Sequence, residues 1–132
     1  MKKFTFTFFL ISIAYFSAYA QKAFPGAQGF GKYASGGRGG QVVYVTNTNN
    51  DGEGSLRWAC EDITGPRMVL FKTGGIIQLE NDIDIARGDI TIAGQTAPGG
   101  GITLKGSGID VRDDNVIIRG LRIRPGDGPG QL

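Results

Sequence analysis

The chain has 132 residues, 23 of them glycine, with one cysteine and no histidine. That composition excludes a Ser/His/Asp or Cys/His relay, an imidazole metal ligand, an internal disulfide and a thiolate zinc cluster. Fourteen basic residues against twelve acidic ones give no strongly charged, polyanion-seeking chain, and a bound metal should be a hard, oxygen-liganded cation such as calcium.

Lys2 and Lys3 precede an apolar run from Phe4 to Phe16 and the small-x-small site Ala18-Tyr19-Ala20. This order predicts a secretory signal peptide over 1–20, cut before Gln21. A helix of 13 residues spans only about 20 Å, too short for a permanent membrane anchor. The expected product is secreted, extracellular or periplasmic, with no membrane attachment after cleavage. Removing the signal takes two basic residues and no acidic one, leaving 12 against 12. The basic balance is therefore a property of the signal, and no nucleic acid partner is expected.

Residues 21–41 form a Gly-rich leading segment, AFPGAQGFGKYASGGRGGQ from Ala23, with too few periodic apolar positions for a helix. Its Gly29-x-Gly31-x-x-Ala34 is a partial dinucleotide fingerprint, but Pro25-Gly26 stands where a strand should precede it and no helix pattern follows. Val42 to Val45 predicts a short strand. Asn47 to Gly52 places oxygen side chains at loop positions 1, 3 and 5, as in an EF-hand, yet position 12 is Trp58. An Asx-rich turn is the expectation. Ser55 then offers an N-cap, and Leu56, Ala59, Cys60 and Ile63 share one face of a short helix stopped at Gly65-Pro66. Cys60 lies on that apolar stripe and is assigned to packing over a reactive thiol. Trp58 lies off it, with packing under the Gly-rich segment or stacking on a sugar ring as its two readings.

From Met68 the sequence becomes a series of short apolar-x-apolar strands: Val69-x-Phe71, Ile77-x-Leu79, Ile83-x-Ile85, Ile90-x-Ile92, Ile102-x-Leu104, Ile109-x-Val111, Val116-x-Ile118 and Leu121-x-Ile123. Ile77 to Ile102 is 25 residues, Ile83 to Ile109 and Ile90 to Val116 are 26, and Gly94 matches Gly120. Three short strands per repeat with no intervening helix is the pattern of a parallel β-helix coil. An antiparallel sandwich explains the strand density but not the register. The fold class predicted is all-β: an incomplete parallel β-helix over 42–132, about two coils plus edge strands, with the short helix as an N-terminal cap.

AFPGAQGFGKYASGGRGG, DGEGSLRWAC, DITIAGQTAPGGGITLKG and NVIIRGLRIRPGD together resemble the N-terminal part of secreted bacterial pectate lyases, from Ala23 to about Asp127. The chain departs from those proteins at Gln28, where they commonly carry glutamate. The resemblance implies a right-handed β-helix, monomeric when full length, that cleaves α-1,4-linked polygalacturonate (pectate) by β-elimination. It also implies calcium as cofactor and an arginine as base, both on later coils than those present here. The resemblance therefore carries no catalytic residue and no metal ligand onto this chain, which is expected to be an N-terminal fragment with the calcium ligands beyond Leu132. The other function class left open is a non-catalytic secreted β-helix that binds carbohydrate or decorates a surface.

Two residues are candidates for substrate binding. With Leu121 and Ile123 inward, Arg122 and Arg124 project outward roughly 6.5 Å apart, where paired guanidinium groups can meet uronate carboxylates. The competing reading is a solvated face with neighbouring acidic partners. Asp127 is considered as a calcium ligand, against a simple bend at its Gly/Pro turn.

Overall fold

In a computed structural model the described residues are 20–126. Residues 1–19 of the expected signal segment, and Asp127, lie outside them. Nine strands and one α-helix follow in the order β1 (Gln41–Val45), α1 (Leu56–Glu61), β2 (Arg67–Phe71), β3 (Gly75–Gln78), β4 (Ile83–Ile85), β5 (Ile90–Ala93), β6 (Ile102–Lys105), β7 (Ile109–Val111), β8 (Val116–Arg119) and β9 (Leu121–Arg124). They form three sheets, β1-β2-β5-β8, β3-β6-β9 and β4-β7. Every pairing is parallel. The chain visits the three sheets in turn, so β2-β3-β4 and β5-β6-β7 are two full coils of a parallel β-helix. β1 lies below them, and β8 and β9 above.

Alternation decides which side chains enter the coil. Val43, Val69, Ile92 and Ile118 form one column through four levels, and Ile77, Leu104 and Ile123 form another. Val69, Ile77, Ile83, Ile85, Ile90, Ile92, Ile102 and Leu104 are wholly inaccessible to solvent. Each such side chain contributes roughly 1.5–3 kcal/mol by burial, which the short strands could not gain singly. At the last described level the inward positions are bare: Val111 is 46% exposed and Ile123 43%.

One registration expected from the sequence is corrected. Ile77 pairs with Leu104, and Ile102 with Gly75, so this step is 27 residues and not 25. The slip is two residues, one full period of the pleat, and therefore leaves the same side chains facing inward. The 26-residue steps Ile83↔Ile109 and Ile90↔Val116 occur as expected. The next step in the β3-β6-β9 sheet shortens to 19, with Leu121 on Ile102, because Gly120 alone joins β8 to β9 where residues 94–101 join β5 to β6.

The helix caps the first coil. Ser55 is its N-cap, accepting from the Trp58 amide at 3.1 Å, and Leu56, Ala59 and Cys60 are buried in the core with Ile63 packed against it. Trp58 is half-buried against the same core. The Asx turn forms, with the Asn49 amide donating to Asn47 Oδ1 at 3.1 Å.

Candidate functional site

The outer face of β3-β6-β9 carries the sequence-derived candidates. Arg122 and Arg124 are both exposed there. In-register pairing sets Arg124 beside Lys105 and Gln78, and Arg122 beside Thr103 and Ile76. Neighbouring strands lie about 4.8 Å apart, so Lys105 and Arg124 form a two-cation step across the sheet. The two arginines differ in their engagement. Arg122 donates through its guanidinium to the carbonyl of Gly100 in the loop between β5 and β6. Among the described residues, neither Arg124 nor Lys105 has an acidic partner within ion-pair distance. The place of Lys105 beside Arg124 depends on the 19-residue step, which a regular repeat does not foretell.

A second arginine feature escapes sequence reading altogether. Arg67, the first residue of β2, is wholly buried. Its guanidinium donates to five main-chain carbonyls: Nε to Ala59 at 3.0 Å, one terminal nitrogen to Gly65 and Gly88 at 3.1 and 3.3 Å, the other to Cys60 and Arg87 at 2.7 and 3.2 Å. The last carbonyls of a helix lack partners within it, and here a cation supplies them while the helix dipole favours its charge. Arg57 is the companion on the exposed side of α1, donating to Glu61, Asp82, Asn81 and Asn50. Cys60 lies beneath Arg67, and burial pushes its thiol up to about 12 although the neighbouring guanidinium pulls the other way. The basic neighbourhood that a reactive thiolate needs is thus present, but desolvation outweighs it, and Cys60 serves packing as its place on the apolar stripe predicts.

The Gly-rich segment lies across the outer face of β1-β2-β5-β8. A Cβ on Gly37 would fall 1.8 Å from the Arg67 carbonyl oxygen, and one on Gly40 2.0 Å from that of Pro66. Only glycine permits that approach. Asn115 holds the segment down: its Oδ1 accepts from the amides of Ser35 and Gly36, each at 2.8 Å, and its Nδ2 donates to Ser35 Oγ at 2.8 Å and Asp89 Oδ1 at 2.6 Å. Asn115 and Asp89 occupy equivalent turn positions one coil apart, both left-handed, with φ of 58° and 50°. Arg119, the last residue of β8, stacks its guanidinium on the Phe24 ring, 4.2 Å from the centroid.

The acidic residues are mostly structural. Asp82 accepts from Ser107 Oγ and the Gly108 amide, which hold its carboxyl below the usual range. Asp113 accepts from the amides of Gly88 and Asp114 with the same effect. Asp84 and Asp110 stack in register and share Arg112, at 3.2 and 2.8 Å. Among the described residues no cluster of three or more Asp, Glu, Cys or His side chains is arranged to hold a metal ion, and no helix is long and apolar enough to cross a membrane.

No family model matches the chain. Among curated proteins, the probable pectate lyase C of Aspergillus fumigatus is 48% identical over 122 residues, covering 90% of this chain and 28% of that protein. That of Emericella nidulans is 48% identical over 113 residues, 85% of this chain and 26% of its own length. That of Aspergillus flavus is 47% identical over 120 residues, 89% and 27%. These relatives are fungal, which corrects the bacterial resemblance drawn from the motifs while keeping the enzyme class. Over most of its length, then, the chain is similar to probable pectate lyases and spans 28% or less of theirs.

Proposed function

We propose that the chain forms the first coils of a secreted lyase that cleaves pectate by β-elimination, and that Arg122 and Arg124, joined by Lys105, contact the polymer. The observation that carries the reading is similarity at 47–48% identity to probable pectate lyases along about nine-tenths of a chain that folds as a parallel β-helix. The charge of the outer face of β3-β6-β9 supports the contact. Polygalacturonate presents a carboxylate on each sugar, and Lys105 and Arg124 are paired by strand register with no acidic partner among the described residues. Arg122, tied to Gly100, would align the loop at the edge of this face.

β-Elimination withdraws the C5 proton and expels the C4 oxygen, leaving an unsaturated sugar. Calcium belongs to this reading through the resemblance, and it supplies neutralisation of the uronate carboxylate when bound. The described residues do not fit it: Asp84 keeps one buried oxygen without a partner, but no three carboxylates converge on it or anywhere else among them, Asp84 and Asp110 share Arg112, and Asp82 and Asp113 are engaged by turn donors. The reading therefore assigns neither a metal ligand nor a base to residues 20–126.

The test compares the 132-residue chain with any longer product of its gene, on polygalacturonate with calcium, by the ultraviolet absorbance of the unsaturated product. The longer protein should be active and silenced by chelation, and the short chain inactive. Lys105→Glu/Arg124→Glu should weaken retention on immobilised polygalacturonate at least tenfold, and the wild-type retention should fall with salt. Retention without turnover by the longer protein would favour the non-catalytic carbohydrate-binding alternative. Retention unchanged by the charge reversal would remove the contact assigned to this face.

A further inference from the structure

Followed backwards, the Gly-rich segment climbs the coils one level at a time. Gly40 rests on Pro66 before β2, and Gly37 rests on Arg67 of β2 while its amide donates to Thr91 of β5 at 3.0 Å. Gly36 sits between Thr91 of β5 and Ile117 of β8, and Ser35 is held by Asn115 immediately before β8. In six residues the segment therefore crosses β2, β5 and β8, three successive strands of one sheet. It acts as a strap along the coil axis, independent of the strand ladder, and buries the outward side chain of Ile117 to 7% exposure.

The next residues back leave the described coils. Phe30–Tyr33 form one 3-10 turn in which no residue is buried. Phe30 is fully exposed and Tyr33 half-exposed, and they line a concavity of about 360 Å³ with Gly29 and Lys32. The turn is anchored rather than loose. The Ala23 amide donates to the Lys32 carbonyl at 2.8 Å, and Phe24 stacks on Arg119 at the end of β8. Two aromatics held in water at this point lack the burial that such side chains ordinarily gain.

We infer that the Phe30–Tyr33 turn is a docking surface for the outer face of one further strand of the β1-β2-β5-β8 sheet, the strand that stacks on β8 in a longer β-helix. The inference rests on the reading of the chain as the first coils of such a protein. Its main support is continuity: strap residues already cover three levels in order, and Phe30 and Tyr33 are next in line for the fourth. The fungal relatives are long enough to supply that strand, since this chain spans 28% or less of their length. The bare inward positions Val111 and Ile123 offer stacking surface for the same additional coil. The partner is therefore an aliphatic outward side chain in the place that Ile117 holds in β8.

The experiment joins residues 21–124 to the remainder of the Aspergillus fumigatus relative and measures Phe30→Ser/Tyr33→Ser in that chimera and in the 132-residue chain. The substitutions should lower the chimera's Tm by about 5 °C or more and leave the short chain's Tm within about 1 °C, because there the two rings are already in water. Equal shifts in both proteins, or none in the chimera, would overturn the inference. A second arm covers a chimera that does not fold: the relative's remainder, produced separately, is captured on the immobilised 132-residue chain, and the double substitution should reduce capture at least tenfold. Undiminished capture, or no capture of any kind, counts against the docking surface. A chimera that shows the difference in Tm, beside a longer product of this chain's own gene that forms no ultraviolet-absorbing product, would sink the lyase reading alone.

Discussion

Removing the Arg67 guanidinium should cost more than any other single polar change in the described chain. Arg67→Met keeps most of the aliphatic stem but leaves five carbonyls without their donor. Two of these bonds, to Ala59 and Cys60, are fully buried. Orphaning a buried acceptor costs about 1–3 kcal/mol, so those two alone give roughly 2–6 kcal/mol, and the three partly wet carbonyls recover some of their bonds from water. Relief from burying a cation works in the opposite direction. The net expectation is a loss of about 3–5 kcal/mol, a large part of a typical domain's 5–15 kcal/mol. Urea denaturation followed by circular dichroism should show it as a fall in midpoint. Arg67→Lys, with three donors on one nitrogen, should lie between wild type and Arg67→Met. Cys60 provides a local readout, since freeing the end of α1 exposes its thiol. Its modification by an aromatic disulfide should accelerate at least about 100-fold in Arg67→Met, the factor expected if opening becomes easier by about 3 kcal/mol. A loss below about 1 kcal/mol with Cys60 still protected would refute the reasoning, showing that desolvation of the cation cancels its five bonds.

Three further outcomes are expected. The folded Cys60 thiol holds its proton up to about 12, above its unfolded value near 8.5; stability is thus fully present below that lower value and falls by up to about 1.4 kcal/mol per pH unit above it. Cys60→Ala should remove that alkaline slope between pH 9 and 10, as read by urea midpoints. Asp82 and Asp113 have depressed folded pKa values, so their contribution is present above the ordinary carboxylate range and lost as pH falls through the depressed values; Asp82→Asn should flatten the acid limb of a melting profile taken from pH 5 to 2. Asn115→Gly keeps the left-handed backbone but deletes the strap's anchor, and limited proteolysis should then cut within residues 22–40 several times faster; an unchanged rate would show that glycine contacts alone hold the strap.

The coil architecture was legible because it depends on a pattern repeated many times. Each strand contributes an apolar-x-apolar pair, and a pleat of period two allows a registration error of two residues without moving any side chain between faces. The slip at Ile77 therefore altered one pairing and left the fold intact. The helix was legible for a different reason: Ser55, the stripe through Cys60 and the Gly65-Pro66 stop act within one short window. The strap was not legible. Its glycines signal irregular backbone, but the surfaces they approach are 26 to 81 residues away in sequence, and Asn115 looks like any other turn residue until φ and partners are known.

Arg67 and Arg124 show why the candidate site was only partly readable. Arg67 begins a short apolar strand and Arg124 ends one, and both carry a group that composition alone would place at the surface. Arg67 occupies the corner where the end of α1, the Gly65-Pro66 turn and the loop at Arg87–Gly88 converge, so five carbonyls surround it and its charge is consumed in holding the cap. Arg124 sits on an open sheet face beside Lys105, where no described carboxylate answers it. The difference comes from neighbours brought in by coil stacking, and the decisive stack for Arg124 is the irregular 19-residue step created when Gly120 replaces an eight-residue connection. A shortened connection is visible in the sequence as a missing loop. Its consequence, two cations set side by side on adjacent strands, follows only once the inward residues Leu121 and Ile123 are seen to keep their columns over Ile102 and Leu104, which makes β9 rise against β6 and carries Arg124 to Lys105.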